Sequence, residues 1–180
     1  MRKILLFVLV VLMCAGVVNA LRIGVTSTTY TGNLGGIAGA DQKCQQWADA
    51  NGYGGTWKAL IGLAGVRDLT HDWPLQSNTT YYKASDGLLV DTIGSNGCFT
   101  YPLNNPIAIE DVELCSRHRC YAWTGLNDDC SVGWTCNGWT SSSMAIEAYQ
   151  GRAHNTEEGV LYVGTYFCGD SPMNGLYCAE

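Results

Sequence analysis

Nine cysteines are scattered over the 180-residue chain, and eight of them, at 44, 98, 115, 120, 130, 136, 168 and 178, lie in its globular part. That number and spread constrain the fold more than any other feature. The ninth, Cys14, sits in an opening segment that reads as a secretory leader. Arg2 and Lys3 precede an apolar run over 4–18, and Val18-Asn19-Ala20 supplies compact residues for cleavage. The run has fifteen residues, against roughly 20 for a membrane span, so a cleaved leader over 1–20 is expected; a retained anchor stays open. An even set of cysteines behind such a leader points to disulfides formed in an oxidising, extracellular setting. Zinc is disfavoured, because the Cys115/Cys120 and Cys130/Cys136 spacings are too wide for paired knuckles.

Residues 21–180 are expected to form one domain, with no linker, repeat or charge run to divide them. Loss of Arg2 and Lys3 takes the formal net charge from −6 to −8. An acidic domain of this kind is a poor partner for nucleic acid or an anionic membrane.

The hydrophobic pattern predicts an α+β domain. Residues 22–27 alternate as an opening strand, and the glycine-rich stretch 31–39 reads as turns. Ala40, Cys44, Trp47 and Ala48 then recur on one face of a helix, with Asp41 at its start and Gly52 placed to stop it. Further strands are expected at 56–61, at 81–83 and 88–90 around an Asp86-Gly87 turn, and at 120–125, 134–140, 160–167 and 176–179. Long irregular stretches remain at 62–80 and 91–119, where crosslinks are needed.

Several blocks carry a resemblance. The run from Val25 to Cys44, with Tyr30-Thr31-Gly32-Asn33-Leu34-Gly35-Gly36 within it, resembles the opening of the domain of unknown function 1554. Gly54-Gly55-Thr56-Trp57-Lys58-Ala59-Leu60, Trp123-Thr124-Gly125, Thr135-Cys136-Asn137-Gly138-Trp139-Thr140 and Leu176-Tyr177-Cys178 match its later blocks. The middle, 62–119, matches poorly. That family is similar to the collagen endostatin domain and to the C-type-lectin-like fold. The resemblance implies a disulfide-rich, twisted antiparallel sheet with one or two helices and adjoining termini. It also implies two pairings, Cys44 with Cys178 and Cys136 with Cys168. It says nothing of the four other cysteines, which allow three connectivities; sequence proximity favours Cys98 with Cys115 and Cys120 with Cys130.

Enzyme signatures are absent. There is no G-x-S-x-G elbow and no His pair at helical spacing for a catalytic metal. His71, His118 and His154 are well separated, and the adjacent pairs Asp128-Asp129 and Glu157-Glu158 point apart on a strand or turn. No catalytic residue and no cofactor is expected. Asn127-Asp128-Asp129 does offer three oxygen donors in a row, a calcium reading that needs further ligands and competes with a simple Asx turn closed by Cys130.

Aromatic residues invite a binding role. Trp123, Trp134 and Trp139 are followed by Tyr149, Tyr162 and Tyr166. Trp123 and Trp139 are expected in the core, and Trp134, between Gly133 and Thr135, is the one expected on the surface. Trp73-Pro74 and Tyr81-Tyr82 are further candidates in the divergent middle. Arg117-His118-Arg119 reads either as a basic contact loop or as a solvated one. Asn78-Thr79-Thr80 is an N-glycosylation sequon, used only in a glycosylating host. The expected function is a secreted, non-catalytic module that recognises an extracellular protein or glycan through loops at 62–119 and 126–138. The alternatives are a structural or defensive surface protein without a ligand, and a hydrolase with an unrecognised acidic site.

Overall fold

A computed structural model describes residues 21–108, 121–170 and 174–180. Its first organising element is helix α1, Gly36–Ala50, which buries Ala40, Cys44 and Ala48, the i, i+4, i+8 stripe of the sequence. The helix starts inside the stretch expected to be turns. Gly35 takes a left-handed φ of 84° ahead of it, and at Gly39 a Cβ would lie 2.3 Å from the Leu34 carbonyl oxygen. The glycines here admit close backbone approach at the helix entry. The exit is closed by Asn51, whose side-chain amide donates to the Trp47 carbonyl at 2.8 Å, and by Gly52 at φ 71°.

The strands are β1 (Leu21–Val25), β2 (Lys58–Ala59), β3 (Thr80–Lys83), β4 (Leu89–Thr92), β5 (Tyr121–Trp123), β6 (Glu147–Arg152), β7 (Gly164–Phe167) and β8 (Asn174–Ala179). They form one eight-stranded sheet ordered β4-β3-β1-β8-β5-β6-β7, with β2 also on β8. The sheet is mixed, not antiparallel as expected. β1 runs parallel to β3 and β5 parallel to β8, because the long intervening segments return the chain to the same end before each pairing. The last strand is the centre of the sheet, and all six of its residues are buried.

Each face of β8 carries a different core. Leu176 and Cys178 join Cys44, Trp57, Trp123, Trp139 and Ala148 beneath the helix. Tyr177 and Ala179 join Leu60, Tyr81, Val90, Phe99, Leu103, Leu126, Val160 and Leu161 on the other side. The second layer is therefore built from loops, and the long irregular stretches of the sequence are what it is made of. Gly24 on β1 lets the Trp47 ring close on the sheet, since a Cβ there would meet it at 2.5 Å.

Three disulfides lie among the described residues. Cys44–Cys178 ties the helix to the central strand across a separation of 134 residues, and Cys136–Cys168 joins two loops beneath it. In chain-entropy terms the first contributes roughly 4–5 kcal/mol. The third corrects the sequence expectation: Cys98 pairs with Cys130, and neither bonds to its near neighbour in sequence. Packing explains this, since both cysteines are buried in the loop-side core. Their expected partners, Cys115 and Cys120, lie outside the described residues. Strand β1 and the segment after β8 are also joined by side chains: the Arg22 guanidinium pairs with the Glu180 carboxylate at 2.7 Å.

A buried cation pins the loop after β2. Arg67 has no exposed side-chain surface, donates to both oxygens of Asp41 at 2.5 and 2.7 Å, to the Ala59 carbonyl at 3.0 Å, and to Asp72. Lys58 shares Asp72. Asp41 was expected at the helix start, but the helix begins five residues earlier at Gly36 and has no acidic residue in its first turn, so Asp41 stands in the second turn, bonded to Arg67 and to the Ala59 N–H.

Candidate functional site

Asp128 is the hub of the one described surface where aromatic rings gather in the open. Its carboxylate accepts the backbone N–H groups of Gly159 at 2.9 Å, Leu161 at 3.0 Å and Tyr162 at 3.2 Å, and the Tyr101 hydroxyl at 3.3 Å. Burial, and then this neighbouring charge, push the Tyr101 hydroxyl pKa up, so it stays a donor. The segment 159–162 is thereby clamped to the 127–130 turn, with Tyr162 at its rim.

Strand β6 supplies the next ring. Its side chains alternate, so Ala148 enters the helix-side core while Tyr149 faces the loop layer and is half-buried. Tyr149 donates its N–H to the Trp134 carbonyl at 3.0 Å. Gly133 lies flat against the Tyr149 ring, where a Cβ would stand 2.1 Å from the nearest ring carbon. Ring centroids run from Trp134 to Tyr149 at 6.0 Å and from Tyr149 to Tyr162 at 4.4 Å, with tilts of 37° and 42°. Trp134 is 60% exposed, Tyr162 37% and Phe167 42%. Phe167 pairs across to Glu147, and Thr165 to Tyr149, so this residue row continues the same face onto β7. Among the described residues, neither the Trp134 indole N–H nor the Tyr149 and Tyr162 hydroxyls have a hydrogen-bond partner.

A row of rings held by backbone bonds, with free donors along it, can stack on the C–H faces of a sugar and bond its hydroxyls. It is preorganised, so little ordering entropy opposes binding.

The other sequence candidates fall elsewhere. Trp123 and Trp139 are buried, their indoles donating to the Tyr30 and Gly62 carbonyls at 3.0 and 2.9 Å. Tyr81 is a core residue, Tyr82 is half-buried, and Trp73 is half-buried with its indole on the Gly97 carbonyl, so among the described residues the divergent middle presents no exposed aromatic patch of its own. Asn127, Asp128 and Asp129 do not converge. Asp128 turns inward, Asp129 accepts the Ser131 N–H and hydroxyl at 2.9 and 2.5 Å, and Asn127 donates to the Ser131 hydroxyl at 3.0 Å. Those bonds hold the Asp129 carboxyl below its usual range. Among the described residues, no group of three or more His, Cys, Asp or Glu is placed to hold a metal ion. Asn78 is exposed at the turn before β3, with φ 55°. Arg117 lies outside the described residues, with His118 and Arg119. His71 is engaged with Asp68 and Thr70 at the surface.

The sequence had singled out Trp134, and named Tyr149 and Tyr162 only as followers. It missed Phe167, the clamping role of Asp128 and the need for Gly133, none of which carries a local signal. No helix among the described residues is long and apolar enough to cross a membrane.

No curated protein matches the chain. The family described as "Protein of unknown function (DUF1554)" matches residues 27–157, more than two thirds of it and reaching from the first sheet connections through the Trp134 loop and β6. The chain belongs to the DUF1554 family.

Proposed function

We propose that this is a secreted, non-catalytic recognition module that binds a glycan on the Trp134–Tyr149–Tyr162 face. We place its fold as an endostatin-like variant of the C-type-lectin-like architecture. The Arg22–Glu180 pair between β1 and the residue after β8, helix α1 bonded through Cys44 to β8, and a loop-built second layer support that placement. Three disulfides accord with an oxidising compartment.

The observation that carries the reading is the exposure of Trp134 in a ring row fixed by the Asp128 clamp. A soluble surface rarely leaves several large rings together in water without a partner. Stacking binds without a metal, so recognition here does not require the calcium loop of sugar-binding lectins.

The experiment is retention of the oxidised protein on a panel of immobilised polysaccharides, with and without chelator. The reading expects retention on at least one, unchanged by chelator and lost in Trp134→Ala. Retention on none, with a soluble and heat-resistant protein, leaves the structural-protein alternative in its place.

A further inference from the structure

Along the described segments that carry the aromatic face, charge is one-sided. From Leu126 to Gly151 and from Ala153 to Asp170 the chain has no Lys or Arg, but it has Asp128, Asp129, Glu147, Glu157, Glu158 and Asp170. Arg152, the one basic side chain between these stretches, projects from the opposite face of β6 to Tyr149. There it lies 5.5 Å from the Tyr121 ring and donates to the Tyr121 hydroxyl at 3.2 Å.

Three of the six carboxylates accept hydrogen bonds within the fold: Asp128 in the clamp, Asp129 from Ser131, and Asp170 from the Tyr166 hydroxyl at 2.8 Å. Asp129 nonetheless stays exposed, and it frames the rings with Glu147, Glu157 and Glu158. Glu147 lies two residues before Tyr149, on the same side of β6, and opposite Phe167. Glu157 and Glu158 are exposed just ahead of Gly159, whose N–H shares the Asp128 carboxylate with the Tyr162 N–H. Asp129 is exposed on the turn that carries the clamp. None of these four has an ion-pair partner among the described residues.

We propose that the ligand of this face is a cationic glycan, a chain of hexosamine units with free amines. Ammonium groups would lie against the electron-rich faces of Trp134 and Tyr149, with Glu147, Glu158 and Asp129 supplying the counter-charge. The ring row selects for a stacked sugar, and the carboxylates select against sulfated or uronic-acid polymers. This inference rests on the glycan reading above and adds the charge of the ligand to it.

The test is calorimetric titration of the oxidised protein with three probes: a glucosamine oligomer, its fully N-acetylated counterpart, and heparin, at mildly acidic pH and two salt concentrations. An oligolysine of matched charge is the control. The glucosamine oligomer should bind most tightly, weaken with salt, and lose binding in Trp134→Ala. Glu147→Gln and Glu158→Gln should each weaken it by about two- to five-fold while leaving the acetylated oligomer unaffected, with circular dichroism confirming the fold. Equal or tighter binding of the acetylated oligomer or of heparin would overturn the charge assignment and leave the glycan reading standing. Oligolysine binding as tightly and ignoring Trp134→Ala would make the site a basic-peptide site. Binding of no probe would overturn both.

Discussion

The Asp128 carboxylate holds Tyr162 in place through the Tyr162 backbone N–H, 3.2 Å away, across 34 residues of sequence. A charge-assisted bond of that kind fixes where the ring stands without touching the ring. Three further donors share the same carboxylate, so the turn at 127–130 and the segment at 159–162 move as one body.

Removing the acceptor should therefore cost both stability and the shape of the face. Asp128→Ala leaves three backbone N–H groups and the half-buried Tyr101 hydroxyl without their partner, a loss of about 2–4 kcal/mol. Urea unfolding of the oxidised protein measures it. Asp128→Asn, which keeps one acceptor oxygen, should lose less.

Gly133→Ala tests the packing under the rings. The added methyl falls 2.1 Å from a Tyr149 ring carbon, so the ring must swing outward, at an overpacking cost of about 1–3 kcal/mol. Its expected signature is a large fall in glycan retention against a modest shift in the unfolding midpoint.

Acid should release the Arg67 clamp at one of its two ends. Hydrogen bonds from Arg67, then from Lys58, lower the Asp72 carboxyl below its ordinary 3.8. A carboxyl with a depressed folded value contributes stability that is fully present above the unfolded value and lost as pH falls through the folded one. The hydrogen-exchange protection of residues 62–72, taken relative to the unfolded chain at each pH, should therefore be flat above about pH 5 and fall below the ordinary aspartate value. In Asp72→Asn that acid-induced loss of protection should shrink.

Much of the frame was legible in residue spacing. Ala40, Cys44 and Ala48 specify the helix face because a period of 3.6 is hard to produce by accident. Asp86-Gly87 specifies the β3–β4 hairpin, with Gly87 at φ 74° as the turn needs. Other elements were hidden for physical reasons. Strand β6 reads Glu-Ala-Tyr-Gln-Gly-Arg, a composition poor in β-branched residues, and is a strand because β5 and β7 hold it. Residues 134–140 were expected as a strand and form turns instead, with Asn137, Gly138 and Trp139 all at positive φ. Strands were also expected over 56–61 and 160–167, and only the Lys58–Ala59 and Gly164–Phe167 portions pair. Trp134 was visible as a surface ring because small residues flank it. Asp128 was not, since nothing local distinguishes a half-buried carboxylate hub from a calcium ligand or a solvated turn.

Cysteine pairing is the plainest case of sequence proximity failing. A non-reducing peptide map should recover Cys98 joined to Cys130, besides Cys44–Cys178 and Cys136–Cys168. The Cys98→Ser, Cys130→Ser double variant should lose about 3–4 kcal/mol, the chain-entropy value for a loop of this length.

The account stands most directly on one signal, the Trp134 indole N–H in a proton–nitrogen correlation spectrum of the oxidised protein. Trp57, Trp73, Trp123 and Trp139 donate theirs to carbonyls within the fold, so their resonances should hold still when a retained oligosaccharide is added. The Trp134 resonance should shift progressively to saturation. A bound oligosaccharide that leaves Trp134 unmoved and shifts another indole, such as Trp73, would contradict it.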